Sequence, residues 1–282
     1  MCMTRTLGTP PGPPVRPEVA TGHPWVDRLP AETSNGHDHG AGYDELIREA
    51  LATPFEGWDF AVFRGRMTMA GDLPWDYEGM VRERLPGTAS LLDLGTGGGE
   101  LLASLAPLPP RTVATEGHPP NVPVARRLEP LGVEVVAAGG QGALPLPSGA
   151  FALIVNRHEA YDPREVRRLL APGGTFVTQQ VGGRDLEEIN AALGAPPHED
   201  AHWNLATAAG LDVTWRQEAG YPVTIGDVGA LVLFLRIVAW QVPGFGVDRY
   251  GDRLRALHGD MEHGRPLRAT ARRFALVARH PG

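Results

Sequence analysis

From Ser90 onward, short apolar runs alternate with segments whose apolar residues recur at helical spacing. SLLDLG, RTVATEG, VEVVAA, FALIVNRH and TFVTQQV concentrate Leu, Val, Ile, Phe and Thr, and each is bounded by turn residues, the pattern of buried strands. Between them, Glu100 to Leu105, NVPVARRLEPLG and PREVRRLLAPGG predict helices, the last closed by its glycines, and Leu186 to Leu193 predicts another. Strand alternating with helix predicts a parallel, doubly wound sheet. The remainder predicts a helix near Ala201 to Ala209, a strand at LDVTWRQE, an apolar segment GALVLFLRIVAWQVPGF and a last strand at RRFALVARH. The expected fold is therefore α/β: a Rossmann-like, doubly wound, seven-stranded sheet, mostly parallel with an antiparallel C-terminal strand, plus a helical and loop cap.

The N-terminal part breaks this rhythm. Residues 1–42, with TPPGPPVRP and SNGHDHGAG, have no apolar period and predict an irregular arm. Leu46, Ile47, Ala50 and Leu51 predict an amphipathic helix over Tyr43 to Ala52, stopped by Pro54. Phe55 to Tyr77, crowded with Trp58, Phe60, Phe63, Trp75 and Tyr77, predicts an ordered aromatic loop. The organisation expected is an arm at 1–42, a helical and aromatic cap segment at 43–85, and a main domain at 86–282 with a cap insertion at about 226–262.

Composition narrows the possibilities. With 26 Lys and Arg against 33 Asp and Glu, the net charge of -7 argues against a phosphate backbone as partner. The single cysteine, Cys2, forms no internal disulfide and no thiolate cluster, which suits a reducing, cytoplasmic setting. No signal-peptide pattern opens the chain, and the apolar stretch from Val228 to Val242 is interrupted by Arg236 and too short to span a bilayer. His23, His37 and His39 sit in a polar arm, where solvation is the simpler reading, so no metal is assigned.

The chemistry concentrates in LDLGTGGGE. Glycines at 95, 97, 98 and 99 let a ligand approach the backbone at the carboxyl ends of the strands, where a doubly wound sheet binds. Such a loop alone suits a tight turn or a nicotinamide site equally well. Glu116, ending the next strand, adds a carboxylate able to accept both ribose hydroxyls of a nucleoside. Asp93 stands two residues before Gly95, and the continuation of the dinucleotide fingerprint is missing, which favours an adenosyl cofactor over NAD.

The segments LLDLGTGGGE, VATEGHPPNVPVARRL, ALPLPSGAFALIVNRHEAYDP and EVRRLLAPGGTFVTQQV resemble class I S-adenosylmethionine-dependent methyltransferases of the methyltransferase-11 group, over about Ser90 to Val181. The similarity is greatest to an actinobacterial branch without an assigned substrate. It implies S-adenosyl-L-methionine as cofactor, with Asp93, Gly95 and Gly97 facing its methionine moiety, Glu116 at the ribose, and Thr96 and Gly117 as further cofactor-binding residues. Residues 140 and 141 fall at the adenine edge, and Asn156 at the end of the fourth strand. The group commonly carries an acid before ALP, whereas GGQGALP places Gly140 and Gln141 there; either the Gln141 amide oxygen substitutes for it, or backbone and apolar contacts alone hold the adenine.

Methyl transfer from a sulfonium is an in-line displacement that needs alignment and a dry pocket; a base is needed only for some nucleophiles. His158 is the candidate base, with Tyr161 and Glu159 as alternatives, although His158 and Arg157 could instead simply tie down a loop. For the acceptor pocket, Trp58, Arg64, Trp240 and Phe245 are the candidates, while Leu231, Leu233, Leu235 and Ile237 are expected to be core. The arginine pairs 126/127, 167/168 and 272/273 are expected on solvated faces. The function expected is methyl transfer to a small-molecule acceptor, with no membrane partner and with nucleic acid disfavoured; an RNA or protein acceptor, or cofactor binding without catalysis, are the alternatives.

Overall fold

The structure is a computed structural model that describes residues 42–54, 60–139, 142–197 and 209–282. In chain order the elements are α1 (Tyr43–Ala52), a 3-10 turn at Phe60–Phe63, β1 (Met67–Met69), α2 (Tyr77–Arg82), β2 (Ser90–Leu94), α3 (Glu100–Ser104) and β3 (Arg111–Glu116). Then come α4 (Val122–Ala125), a 3-10 segment at Arg126–Leu131, β4 (Val133–Ala137), β5 (Phe151–Arg157), α5 (Pro163–Leu169), β6 (Leu170–Val181) and α6 (Glu187–Leu193). The chain closes with β7 (Asp212–Ile225), α7 (Val228–Ile237), α8 (Val247–Glu262) and β8 (Leu267–Arg279).

The sheet order is β1-β7-β8-β6-β5-β2-β3-β4. β4, β3, β2, β5 and β6 are mutually parallel, whereas β8 is antiparallel to both β6 and β7. Every residue of β2 is buried, as expected for a strand covered on both faces. Leu92 and Leu94 join one core layer and Leu91 the other, because successive side chains alternate across the sheet. Chain direction around the sheet reverses between β2 and β5, and such a switch point opens a crevice at the carboxyl edge.

Three elements depart from expectation, each for a local reason. The helix expected through PREVRRLLAPGG stops at Leu169, and Leu170 already pairs with Phe151; Pro172 lacks an amide and pushes Ala171 out of helical geometry. In NVPVARRLEPLG only Val122–Ala125 is α-helical, and the rest is 3-10 turn around Pro130, which cannot donate back to Arg126. Eight strands form instead of seven, because β1, inside the expected aromatic loop, pairs with the end of β7 and covers that edge. The arm at 1–41, Trp58 and the helix expected near 201–209 lie wholly or almost wholly outside the described residues.

The β7–β8 hairpin outruns the rest of the sheet. Val181, the last residue of β6, pairs with Arg273, which pairs with Ala219; the six further pairs from Gly220–Arg272 to Ile225–Leu267 project about 20 Å beyond that carboxyl edge. This extension carries the cap: β1 lies on it, α7 and α8 connect its two strands, and α1 packs on α7. Val228 to Leu235 are buried on every side of α7, including Leu231, Leu233 and Leu235, with Ile237 partly buried against them. Asp227 caps α7 by accepting from the Ala230 amide at 2.8 Å and receives a two-point ion pair from Arg66, Nε to Oδ2 at 2.8 Å and Nη2 to Oδ1 at 2.6 Å. Among the described residues no helix is long and apolar enough to cross a membrane, and no group of three or more His, Cys, Asp or Glu could hold a metal ion.

Candidate functional site

At the end of β2 the chain turns through Gly95, Gly97 and Gly99, at φ of 73°, 60° and 85°, the left-handed region where a Cβ is costly. The turn is tied to the neighbouring strand: Thr96 N donates to Thr115 O at 2.8 Å and Gly95 N to the Thr115 hydroxyl at 3.1 Å. Glu116 completes the tie, its Oε2 accepting from Gly97 N at 2.8 Å and its Oε1 from His118 N at 2.6 Å. Each carboxylate oxygen keeps a second acceptor direction. A Cβ on Gly97 would meet open space, so a ligand can approach the backbone there. Gly95 differs, since a Cβ would fall 2.3 Å from Glu159 Cβ, which places that side chain directly against the turn. Gly117 and Gly139 bring the β3 and β4 ends together, the Gly117 Cβ position lying 2.6 Å from Gly139 Cα. Gly140 and Gln141 lie outside the described residues.

Beneath the turn Asp93 is buried, and burial pushes its carboxyl up to about 6; the Thr96 hydroxyl opposes this and the Glu116 charge adds to it. Tyr77, at the start of α2, is raised above its ordinary value, first by burial and then by Asp93. The Arg157 guanidinium stacks over its ring at 5.8 Å. Asn156 is fully buried, and its carboxamide donates to Leu94 O at 3.0 Å and accepts from the Thr178 hydroxyl at 2.9 Å and from Gln180 Nε2. Gln180 Nε2 also donates to Glu159 O at 3.1 Å. The Asn156 side chain thus binds β2, β5 and β6 together at their carboxyl ends.

His158 leaves β5 at φ 63°, an uncommon conformation for a non-glycine residue. Trp75 Nε1 donates to Gln179 Oε1 at 2.8 Å, so the other end of that amide is its NH2, and it faces His158 Nε2 at 3.2 Å. Because an amide NH2 only donates, Nε2 must be an acceptor and Nδ1 carries the hydrogen. Burial, then Arg273, then Arg157 lower the His158 pKa well below its ordinary value, consistent with this neutral tautomer. The Tyr161 hydroxyl is buried, and burial raises it to about 12 against the pull of Arg216; its ring meets Phe176 edge-on at 5.1 Å.

The three pocket candidates among the described residues scatter. Trp240 follows α7 and is 50% exposed, while its neighbour Gln241 is buried and donates to Asn190 Oδ1 at 2.7 Å and Asp185 O at 3.0 Å. Phe245 packs against the cap core, stacked on Tyr250 at 5.6 Å. Arg64 is exposed just after the 3-10 turn, and Trp58 is outside the described residues. The arginine pairs also divide, contrary to their expected solvation: Arg126 and Arg127 are exposed, but Arg168 pairs with Glu165 and Arg273 with Asp185 at 2.7 Å, its side chain only 12% exposed. Sequence reading missed Trp75 and Gln179 as the partners that orient His158. The available signal was Gln179-Gln180, two amides in an otherwise apolar strand, which needs polar partners once buried.

Residues 92–178 match the family described as methyltransferase domain. A 23S rRNA (guanine(748)-N(1))-methyltransferase from Streptomyces fradiae is 29% identical over 175 residues, 57% of this chain; the match spans 60% of that relative's length. Among solved structures, a candidate methyltransferase from Bacillus halodurans C-125 aligns with a TM-score of 0.54 at 16% identity, over 73% of this chain and 99% of that one. A protein of Deinococcus radiodurans R1 aligns with a TM-score of 0.53 at 20% identity, over 84% and 98%. These two show the shared fold.

Proposed function

We propose that this chain, whose residues 92–178 match the methyltransferase-domain family, transfers a methyl group from S-adenosyl-L-methionine to a small-molecule acceptor. The observation that carries this reading is the Glu116 carboxylate fastened to the Gly97 amide beside open space, at the switch point of the sheet. The site fits this cofactor. Glu116 has acceptor capacity left for ribose hydroxyls, and a buried Asp93 with a raised pKa is a carboxylate short of positive charge, which a cationic methionine moiety offers.

The residues we assign to it are Asp93, Gly95, Thr96, Gly97, Glu116 and Gly117, with Asn156 fixing the strand ends beneath; Gln141, which the family resemblance assigns to the adenine, lies outside the described residues. Bound there, the cofactor supplies an electrophilic methyl group on sulfur. The protein's share is alignment and exclusion of water: the acceptor's lone pair approaches opposite the carbon–sulfur bond, whose electron pair leaves with sulfur. His158 and Tyr161 stand on the loop after β5, on the side from which an acceptor enters, with Trp240 as a candidate wall. A general base is dispensable for an acceptor whose nucleophile is already unprotonated.

Calorimetry with S-adenosylhomocysteine and with NAD tests the reading. Binding of the former alone is expected, and binding of NAD with no response to the adenosyl compound sinks it. A nucleic-acid acceptor is the second reading, favoured by the named activity of the Streptomyces relative and opposed by the net charge of -7. Methylation of bulk ribosomal RNA by the purified protein separates the two.

A further inference from the structure

Beside the glycine turn, three basic side chains converge on the end of β5 and the β8 side of the sheet. His158 Nδ1 carries a hydrogen by the tautomer argument above, is buried, and has no hydrogen-bond partner among the described residues. Leaving such a donor unmet costs about 1–3 kcal/mol, so the arrangement is stable only if something else rewards it. Arg273 lies close by; its Nη1 donates to Asp185 Oδ1 at 2.7 Å and to Arg272 O at 2.7 Å, while its Nε is a second buried donor without a partner. The Arg157 charge also acts on this imidazole, and its guanidinium stacks on Tyr77. Of the acids nearby, Asp185 is paired with Arg273 itself, whose Nε stands outside that pair's hydrogen bonds. Asp185 also accepts from the Arg272 amide at 2.6 Å, and the Glu159 side chain lies on Gly95.

We propose that this corner is an oxyanion site: a carboxylate or phosphate group of the acceptor is held by His158 Nδ1–H and the Arg273 guanidinium, with Arg157 adding positive field. The term acceptor rests on the methyl-transfer reading, whereas the anion site does not. The positive-φ backbone at His158 fits the assignment, since strain of this kind is kept where the side chain must point in one direction. The same geometry makes His158 a donor that anchors the acceptor, with its single lone pair already accepting from Gln179. Two cationic groups and a donor match the planar or tetrahedral oxygens of an oxyanion better than they match a neutral amine.

The test is the histidine-labelled protein, followed by nitrogen NMR during titration with acetate, with inorganic phosphate, and with sodium chloride as the ionic-strength control, each with and without S-adenosylhomocysteine. The His158 Nδ1 signal should shift saturably with acetate, with phosphate or with both, and not with chloride; which oxyanion binds tells whether the acceptor group is a carboxylate or a phosphate. His158→Gly, compatible with the local φ, should weaken that binding about tenfold, the scale of one charge-assisted hydrogen bond. The paired change Asp185→Asn with Arg273→Met, which avoids a stranded carboxylate, should do the same. Absence of saturation with both oxyanions, or equal binding in both variants, overturns the proposal. If a variant does not fold, the wild-type titration alone decides. Oxyanion binding without S-adenosylhomocysteine binding leaves this site standing and removes the methyltransferase reading.

Discussion

The Glu116 carboxylate and the Gly97 amide are joined by a 2.8 Å hydrogen bond, so the acid that ends β3 shapes the turn that follows β2. Glu116→Ala therefore removes a ligand contact and loosens the turn together. Cofactor affinity should fall by about 1.5–3 kcal/mol, the scale of a hydrogen bond to a charged group, while the far-ultraviolet spectrum stays unchanged. Glu116→Gln keeps one acceptor oxygen and should fall between the two. An unchanged dissociation constant in folded Glu116→Ala takes this residue out of the site.

Asp93 makes stability depend on pH in an unusual direction for an acid. Its folded pKa of about 6 lies above its ordinary value of 3.8, so between those values the folded chain holds a proton that the unfolded chain has lost. Stability contributed here is full below the ordinary value and declines as pH rises through about 6, by up to about 3 kcal/mol. Asp93→Asn should flatten that slope and raise the melting temperature of the ligand-free protein at pH 7.5, while weakening cofactor binding. A pH series of thermal unfolding on both proteins checks this; an identical slope contradicts the buried charge.

The clasp between Arg66 and Asp227 holds the cap. Burial raises the Asp227 pKa, but the hydrogen bonds and charge of Arg66 with the capping bond from Ala230 more than offset it, and the net shift is downward. The contribution is therefore present above the ordinary carboxyl value and lost as pH falls through the depressed one. Asp227→Ala should cost about 2–3 kcal/mol by removing the helix cap and stranding a half-buried guanidinium, and should raise hydrogen exchange in α7 and β1 before the central strands.

Trp240 is half exposed, so Trp240→Ala should change stability by no more than about 0.5 kcal/mol. If it walls the acceptor pocket, the variant raises the acceptor KM while leaving the S-adenosylmethionine dissociation constant in place. Phe245→Ala should do the reverse of a pocket variant, lowering the melting temperature through lost packing on Tyr250. Steady-state kinetics beside calorimetry separates these outcomes.

The central strands were legible because a buried parallel strand carries a short, mostly apolar run, and SLLDL, TVAT and FALIV supply such runs without help from distant residues. The turn with Asp93, Gly95, Gly97 and Glu116 was legible for a related reason: it is built from backbone and from residues at strand ends, whose position follows from the strand itself. The helix endings at Leu169 and Ala125 were not read, although Pro172 and Pro130 stood in the sequence, because the apolar period ran on past them.

The chain's own pattern determined the succession of strands and helices in the central half, the acid that ends β3 and the glycine turn after β2, since short-range spacing places them all. Tertiary structure alone decided the rest. The length of the β7–β8 hairpin, the eighth strand on its edge, the Arg66 hold on Asp227 and the tautomer of His158 each depend on pairs far apart in sequence. A side chain's local neighbours say nothing about a hydrogen-bond partner such as Gln179 or Trp75, and an amide or imidazole acquires its direction only when folding brings that partner within reach.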